Sequence, residues 1–282
     1  MKRTLVIAIG CLAAATSVAF GAQNALKFTI FDVPGAVSTD AEGINAPEQI
    51  VGFYFDGVVD HGFLLSNETF TTFDFPGALD SAGYGINSRG DIVGQYDFDG
   101  VTTHGFLFSR GSFIALDFPG ATQTGPQGIN DAGRIVGFYL DAANTSHGFL
   151  LGHGSFTTID FPGSTGTQLY GITNSGDVVG AYEDNGGNAH GFLLSKNTFT
   201  TVEPAGALRS QARGVNPRGD IVGQFTAADN SIHGFLFKKG KFTVTDVPGA
   251  ITTRDRGINP QGEITGNYDD CSGNTHGFEA SK

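Results

Sequence analysis

Short apolar runs alternate with glycine-rich links along almost the whole chain. IVGFYF at 50–55, HGFLL at 61–65 and FTTFDF at 70–75 are rich in β-branched and aromatic residues. They do not alternate strictly with polar residues, which is typical of strands buried on both faces of a sheet. The links between runs, such as Asn-Ser-Arg-Gly at 87–90 and Arg-Gly at 110–111, have the composition of tight turns. The pattern predicts many short antiparallel strands.

The runs recur with a period of 43 residues, or 42 where the first unit is one residue shorter. HGF begins at 61, 104, 147, 190, 233 and 276, and each copy stands in the same order with GIN-like and IVG-like motifs. Each unit holds four strand-like runs, b (GIN), c (IVGQY), d (HGFLF) and a (FTTFDFP). Four antiparallel strands in about 43 residues match one propeller blade. We therefore predict an all-β, six-bladed β-propeller of four-stranded antiparallel blades, with strand b innermost, as a single domain at 28–280.

The two chain ends are predicted to complete one blade together. The last repeat ends at its strand d near Phe278, so its outer strand must come from Phe28 to Val33, paired with His276 to Glu279. Closure of this kind removes an exposed sheet edge. The alternative, a linear stack of β-repeats, would need distinct polar capping units, and none of the six looks like one.

The repeat resembles the extracellular HAF-family repeat. The matching pattern is G-I-N-x-x-G-x-I-V-G, followed about ten residues later by H-G-F-L, and it covers all six units. This chain departs from the family in having His-Gly-Phe for His-Ala-Phe, and in lacking the tryptophan that often follows. The resemblance implies a secreted repeat protein and supplies no reaction.

The N-terminal segment 1–22 is interpreted as a signal peptide. Met1-Lys2-Arg3 is basic, the following run to Phe20 is apolar, and Gly21 or Ala22 precedes the expected cleavage point. The alternatives are a membrane anchor, for which the run is short, and a lipoprotein at Cys11, which would leave a very short apolar region. We expect a protein that is extracellular, periplasmic or at the cell surface, with no membrane insertion after cleavage, and a monomer.

Charge and motif content exclude several classes of function. Removal of Lys2 and Arg3 takes the net charge from −12 to about −14, with 14 basic against 28 acidic residues, which disfavours nucleic acid and anionic lipid. No nucleotide, metalloprotease or nucleophile motif is present, and no cofactor is expected. Calcium is the one cofactor that the acidic c–d loops suggest, although they lack dense Asp-x-Asp-x-Asp-Gly spacing and solvated loop acids are the simpler interpretation. Those acids are Asp56, Asp60, Asp97, Asp99, Asp141, Glu183, Asp184, Asp229, Asp269 and Asp270.

Each repeated histidine is predicted to bond to an acid on the neighbouring strand. When the d–a hairpin is folded about its two-residue turn, every histidine faces a carboxylate, and such pairs fix register. A catalytic or metal-binding role is the alternative, but equivalent histidines on separate blades do not converge. The pairs are His61 with Asp74, His104 with Asp117, His147 with Asp160, His190 with Glu203, His233 with Asp246, and His276 with Asp32.

The candidate ligand-binding residues precede each GIN motif and vary from repeat to repeat. They are Glu42, Tyr84, Gln127, Tyr170, Arg213 and Arg256. Two places earlier stand Asp40, Ala82, Gly125, Gln168, Gln211 and Arg254. Because these positions lead into the innermost strand, we expect the first six to converge at the channel mouth on the face of the a–b and c–d loops. Tyrosine rings and guanidinium groups suit a polar or anionic ligand.

The function favoured by these residues is non-catalytic binding of a glycan, a peptide or a surface partner. The loops are uniformly short, whereas a catalytic site needs one asymmetric constellation. A hydrolase or lyase acting on an extracellular polysaccharide is the alternative. For the six variable residues, the alternative is a drifting solvent-exposed loop in which Arg256 simply pairs with Glu42.

Overall fold

The computed structural model describes residues 26–282, so the predicted signal peptide at 1–22 lies outside the described residues. The innermost strands b are β2 (Ser38–Ile44), β6 (Asp80–Ile86), β10 (Gln123–Ile129), β14 (Gly166–Ile172), β18 (Arg209–Val215) and β22 (Thr252–Ile258). The strands c are β3 (Ile50–Phe55), β7 (Ile92–Asp97), β11 (Ile135–Leu140), β15 (Val178–Glu183), β19 (Ile221–Thr226) and β23 (Ile264–Asp269). The strands d are β4 (Asp60–Ser66), β8 (His104–Ser109), β12 (Ser146–Gly152), β16 (Ala189–Ser195), β20 (Ile232–Lys238) and β24 (Thr275–Ser281). The outer strands a are β1 (Lys27–Phe31), β5 (Thr69–Phe73), β9 (Ser112–Leu116), β13 (Ser155–Thr158), β17 (Thr198–Thr201) and β21 (Lys241–Val244).

The fold is an all-β propeller with four-stranded antiparallel blades. Repeats 1 to 4 each form a separate four-stranded sheet in the order b-c-d-a. The remaining strands form one eight-stranded sheet, which includes β18–β21 and β22–β24 with β1. A single parallel pair, Ile232 with Thr252, joins its two four-stranded halves. Among the described residues, no helix is long and apolar enough to cross a membrane.

The chain ends pair as the sequence predicts. Strand β1 lies antiparallel to β24, with Phe28 opposite Ala280 and Phe31 opposite Gly277. The ring of Phe28 packs edge-on against that of Phe278, with centroids 5.6 Å apart. The last repeat therefore receives its outer strand from the N-terminal end of the described chain.

Two kinds of connection define the two faces of the propeller. The b–c and d–a turns lie on one face, called here the turn face, and the a–b and c–d links lie on the other, the loop face. The d–a turns have two residues with positive φ, such as Arg110 at 52° and Gly111 at 77°. Positive φ at both positions matches the right-handed twist of the paired strands, so this hairpin sets a fixed register.

The glycine of each GIN motif allows neighbouring inner strands to approach closely. A Cβ atom on Gly43 would lie 2.8 Å from the carbonyl oxygen of Tyr84, and one on Gly85 would lie 2.6 Å from that of Gln127. At the closing contact, a Cβ on Gly257 would lie 3.0 Å from the backbone nitrogen of Ile44. Repeat 6 therefore packs against repeat 1 in the same way as successive repeats pack together.

The asparagine of the same motif links one repeat to the next. Asn87 accepts hydrogen bonds from the backbone N–H groups of Arg89 and Asp91, which fixes its own turn. Its Nδ2 donates to the carbonyl of Asn130 in the following repeat at 3.3 Å. Asn259 closes the circle by donating to the carbonyl of Asn45, also at 3.3 Å. Thr173 replaces asparagine in repeat 4 and keeps only the bonds to its own turn.

The core lies between adjacent sheets and is dominated by the phenylalanine of each HGF motif. These six side chains are fully buried: Phe63, Phe106, Phe149, Phe192, Phe235 and Phe278. Most meet an outer-strand phenylalanine edge-on, as Phe63 meets Phe70 at 5.6 Å. Aromatic pairs of this geometry stabilise beyond the area they bury.

One inter-sheet contact departs from this apolar pattern. Asp255 is fully buried where repeat 5 has Ala212, and Thr245 stands where repeat 4 ends with Val202. Thr245 and Asp255 share a short hydrogen bond, and Oδ1 of Asp255 has no partner among the described residues. Burial raises the pKa of Asp255 well above its usual value, which favours the protonated carboxyl group in the folded protein.

We expect Gly85→Ala to lower the free energy of unfolding by about 1–3 kcal/mol, because the added Cβ overlaps backbone that cannot move aside. The measurement is denaturant unfolding. Gly152→Ala is the control, since its Cβ has no neighbour nearer than 3.7 Å. Equal effects of the two changes would contradict the role assigned to the close approach.

We expect the double change Thr245→Val with Asp255→Ala to raise the free energy of unfolding at pH 7 by about 1–3 kcal/mol, because it removes a buried polar atom without a partner. An unfolded aspartate ionises near pH 4, whereas the folded one stays protonated above that, so the wild type loses stability as pH rises from about 4. The gain should therefore grow between pH 5 and pH 8. A gain that does not change with pH would show that Asp255 is not protonated in the folded state.

Candidate functional site

Every repeated histidine lies beside the acid that the hairpin register predicts. The Nδ1 atoms contact their carboxylates at 3.0 Å (His61–Asp74), 3.2 Å (His104–Asp117), 2.8 Å (His147–Asp160), 2.7 Å (His190–Glu203), 2.7 Å (His233–Asp246) and 2.9 Å (His276–Asp32). The last pair joins the two chain ends. Since each pair spans one d–a hairpin or its equivalent, these contacts hold the outer strands in register.

Several of these histidines also contact a second acid, which the sequence analysis had not paired with them. Nε2 of His61 lies 3.4 Å from Asp56, and Nε2 of His147 lies 3.5 Å from Asp141. Asp56 also accepts hydrogen bonds from two backbone N–H groups of its own loop. An aromatic ring of strand c stacks on each imidazole, as Tyr139 does on His147 at 5.2 Å. The acids of these loops therefore cap the loop and hold the histidine.

At His147 and His190, the flanking carboxylates raise the pKa and so favour a charged imidazole. The hydrogen bond with Asp160, together with the charge of Asp141, raises the pKa of His147 despite its partial burial. The same balance raises the pKa of His190, which lies between Glu203 and Asp184. Both ring nitrogens are occupied, so neither is available as a catalytic base or a metal ligand while these contacts persist.

The six variable residues occupy equivalent bulges in the innermost strands. In repeat 1 the register with β3 shifts between Ala41 and Gly43, and Glu42 is the extra residue. The other five inner strands carry the same irregularity, at Tyr84, Gln127, Tyr170, Arg213 and Arg256. A bulge re-aims the side chain of its unpaired residue. Here it brings six side chains together on the propeller axis.

These residues contact one another around the axis, and we call them the channel ring. Nε of Arg256 lies 3.3 Å from Oε1 of Glu42, across the junction between repeats 6 and 1. The guanidinium group of Arg213 lies over the ring of Tyr170, 3.9 Å from its centroid. The channel ring therefore combines an ion pair with a cation–π contact.

The position of the channel ring corrects the sequence-based placement in one respect. The six residues lie within strands in the middle of the channel, and not in loops at its mouth. They separate a depression on the turn face from a cavity on the loop face, and they border both. The interpretation as a drifting loop is wrong for the same reason, although the Arg256–Glu42 pair that it contained is present.

The loop-face cavity is lined by residues from two levels of the channel and has a volume of about 270 Å³. Its walls above the channel ring are Asp40, Phe53, Gln95, Phe138 and Gln168. The ring of Phe53 lies 6.1 Å from that of Tyr84. The cavity thus offers aromatic faces together with amide and carboxyl groups.

Three of these walls come from strand c and were missed by the sequence analysis. Phe53, Gln95 and Phe138 occupy the position after IVG, opposite Asp40, Ala82 and Gly125. In the other repeats that position holds Ala181, Gln224 and Asn267. Its variation within an otherwise repeated motif was the signal that could have identified it.

Polar groups at the cavity and on nearby strands c have incomplete hydrogen bonding. Nε of Arg256 is buried at the cavity and makes no aligned hydrogen bond, although it lies 3.3 Å from Oε1 of Glu42. On the strands c of repeats 5 and 6, Oε1 of Gln224 and Nδ2 of Asn267 are also buried and make no hydrogen bond to any described residue. Burial and the nearby charge of Glu42 raise the pKa of Asp40 to about 7. Buried polar atoms without partners carry a free-energy cost, which a bound polar group or water would remove.

One cluster of acids has the spacing of a metal site, and it lies elsewhere. Ligand atoms of Glu48, Glu263 and Glu279 lie within 4.8 Å of one another, which makes them the one such group found in residues 26–282. It includes none of the c–d loop acids considered above for calcium. Exposed acids cluster in this way without a metal, so it supports no assignment by itself.

Comparison with known proteins identifies the fold. No family model and no curated protein matches the chain. The SapL1 lectin in complex with alpha methyl fucoside is similar in structure, with a TM-score of 0.59 and 10% identity over 88% of this chain and 94% of that chain. So is the six-bladed propeller lectin of Aleuria aurantia, with a TM-score of 0.54 and 10% identity over 86% and 91%. TolB from Acinetobacter baumannii matches with a TM-score of 0.53 and 13% identity, but this chain spans 54% of its length. At these identities the similarity establishes the propeller fold alone.

We expect His147→Gln to lower stability and to leave the properties of the channel unchanged. The raised pKa means that the stabilising charge is fully present below about pH 6.5 and disappears as pH rises through the folded-state value. The loss, about 0.2–1 kcal/mol, should therefore be larger at pH 6 than at pH 9. His153→Gln, at an exposed turn, is the control. A loss that is the same at both pH values would contradict the charged pair.

Proposed function

We propose that this chain is a secreted, six-bladed propeller that binds a glycan in the loop-face cavity without catalysing a reaction on it. Counting six blades treats the eight-stranded sheet as two blades, since only the pair Ile232–Thr252 joins its halves. Six sequence repeats and the propeller lectins of similar structure support this count. The signal-like segment at 1–22 and the resemblance to extracellular HAF repeats support export. We propose that the protein acts as a monomer.

The observation that carries the proposal is the combination of groups in the cavity. Glycans present hydroxyl groups on one side and C–H faces on the other, so their sites pair hydrogen-bonding groups with aromatic rings. Phe53 and Phe138 supply rings, while Gln95 and Gln168 supply donors and acceptors. Gln224 and Asn267, at the equivalent strand-c position of repeats 5 and 6, each have a buried polar atom without a hydrogen-bond partner among the described residues.

Similar structures provide a second line of support. SapL1 and the Aleuria aurantia lectin are described with fucosides bound, so the same fold serves carbohydrate binding elsewhere. Their low identity gives no guide to which residues or which sugar would be used here.

A hydrolase acting on a polysaccharide is the second candidate, and Asp40 favours it. Burial raises its pKa to about 7, and Glu42 lies close enough to add to that shift. A carboxyl group with a raised pKa near a second carboxyl group is the arrangement that glycosidases use. Against it, the Glu42 side chain is 8% exposed and engaged with Arg256. Release of reducing ends from oligosaccharides by the wild type, lost in Asp40→Asn, would establish this function instead.

We expect the purified protein to bind members of a glycan panel that includes neutral, fucosylated and acidic oligosaccharides. Phe53→Ala and Phe138→Ala should each weaken binding by about tenfold or more, because each removes a ring from the cavity wall. Titration calorimetry on the best panel member measures the effect.

The control is Ala46→Phe, which narrows the turn-face depression and leaves the loop-face cavity unchanged. If this change abolishes binding while the two phenylalanine variants retain it, the site lies on the opposite face. If no glycan binds, the proposed function fails.

A further inference from the structure

The channel ring carries more positive than negative charge. Arg213 and Arg256 are neighbours in the ring and repel each other, whereas Glu42 is its one carboxylate. Glu42 makes its ion pair with Arg256. No carboxylate among residues 26–282 lies within ion-pair distance of Arg213. One guanidinium group in the channel therefore lacks a counter-charge.

Other acids near the channel do not supply that charge. Asp269 is engaged by Arg254, with Nη2 at 3.0 Å. Asp40 makes no ion pair in the described part of the chain, and its pKa of about 7 leaves it substantially protonated at neutral pH. Burial lowers the pKa of Arg213, which expresses the free-energy cost of holding this cation away from water.

The bonding of Arg213 leaves part of its guanidinium fork free. Nε and Nη2 both donate to Oε1 of Gln211, at 3.2 and 2.8 Å. The face of the group is covered by Tyr170. Nη1 makes no hydrogen bond to any described residue. Nε of Arg256 lies 3.3 Å from Oε1 of Glu42 but is not aligned for a hydrogen bond. Nη1 of Arg213 is thus held in place without an acceptor among the described residues, beside an arginine whose one ion-pair partner there is Glu42.

We infer that the ligand of this cavity is an acidic sugar, whose single negative charge is bound by Arg213 and Arg256. The inference rests on the proposed function, and adds the class of glycan. Charge-assisted hydrogen bonds from guanidinium to a planar oxyanion are among the strongest in proteins. A doubly charged phosphate fits less well, because Glu42 borders the same space. A carboxylate or a sulfate ester provides the required charge of −1.

Titration calorimetry on matched sugars tests the inference. The probes are glucuronic and galacturonic acids, against glucose and galactose, with glucose 6-sulfate as the sulfate source. We expect at least one charged sugar to bind about tenfold or more tightly than its neutral counterpart, and the preference to weaken with added salt. The sugar that shows it identifies the anionic group.

Variants at Arg213 distinguish the contribution of its planar guanidinium group from the contribution of its positive charge. Arg213→Gln should abolish the preference for the charged sugar, and Arg213→Lys should retain part of it, because lysine keeps the charge without the planar fork. Arg110→Gln is the control, since it removes the same charge at an exposed turn. Thermal unfolding of each variant verifies folding.

The outcomes distinguish this inference from the proposed function. Equal binding of charged and neutral sugars by the wild type, or an undiminished preference in Arg213→Gln, overturns the inference. Neutral binding that is weakened by Phe53→Ala would then leave the proposed function standing. If no sugar of either kind binds, both proposals fail.

Discussion

The close approach of neighbouring inner strands is the constraint on which the rest of this molecule depends. At Gly43 and its equivalents, the backbone of the next repeat occupies the space that a side chain would need. The inner strands can therefore converge tightly around the axis. Beside this close approach, the bulge turns one side chain per repeat towards the axis. The channel ring is the direct result.

In this fold the residues that repeat lie towards the outside of the propeller, and the residues that vary lie at its axis. Towards the outside, the histidine–acid pairs and the type of d–a turn repeat with little change, because each must hold the same register. On the axis, no such requirement acts on the bulge residue or on the residue after IVG. Those positions hold acids, amides, arginines and aromatic rings in different repeats. The outer layer supplies stability, which leaves the inner layer free to vary.

Much of the architecture could be predicted from the period of the motifs, and part of the site could not. The pairing of β1 with β24 and of His276 with Asp32 followed from counting residues across a hairpin. The bulge was missed because nothing in its composition marks it; Glu42 and Tyr84 are ordinary strand or loop residues. Without the bulge, the channel ring was placed too far towards the mouth. Asp255 was also not predicted, because the repeat period gives the position of each strand and does not indicate where a polar residue replaces an apolar one.

Six similar repeats nevertheless produce a single off-centre cavity, because their side chains differ in size at one level of the channel. In repeats 2 and 3 this level holds Ala82 and Gly125, and a Cβ on Gly125 would collide with Phe138 and Gln95. In repeats 5 and 6 it holds Gln211 and Arg254, which fold onto polar neighbours and fill the space. The small residues thus let Phe138 and Gln95 turn towards the axis on one side only. A near-symmetric ring therefore presents one asymmetric site, with aromatic walls on one side and guanidinium groups on the other.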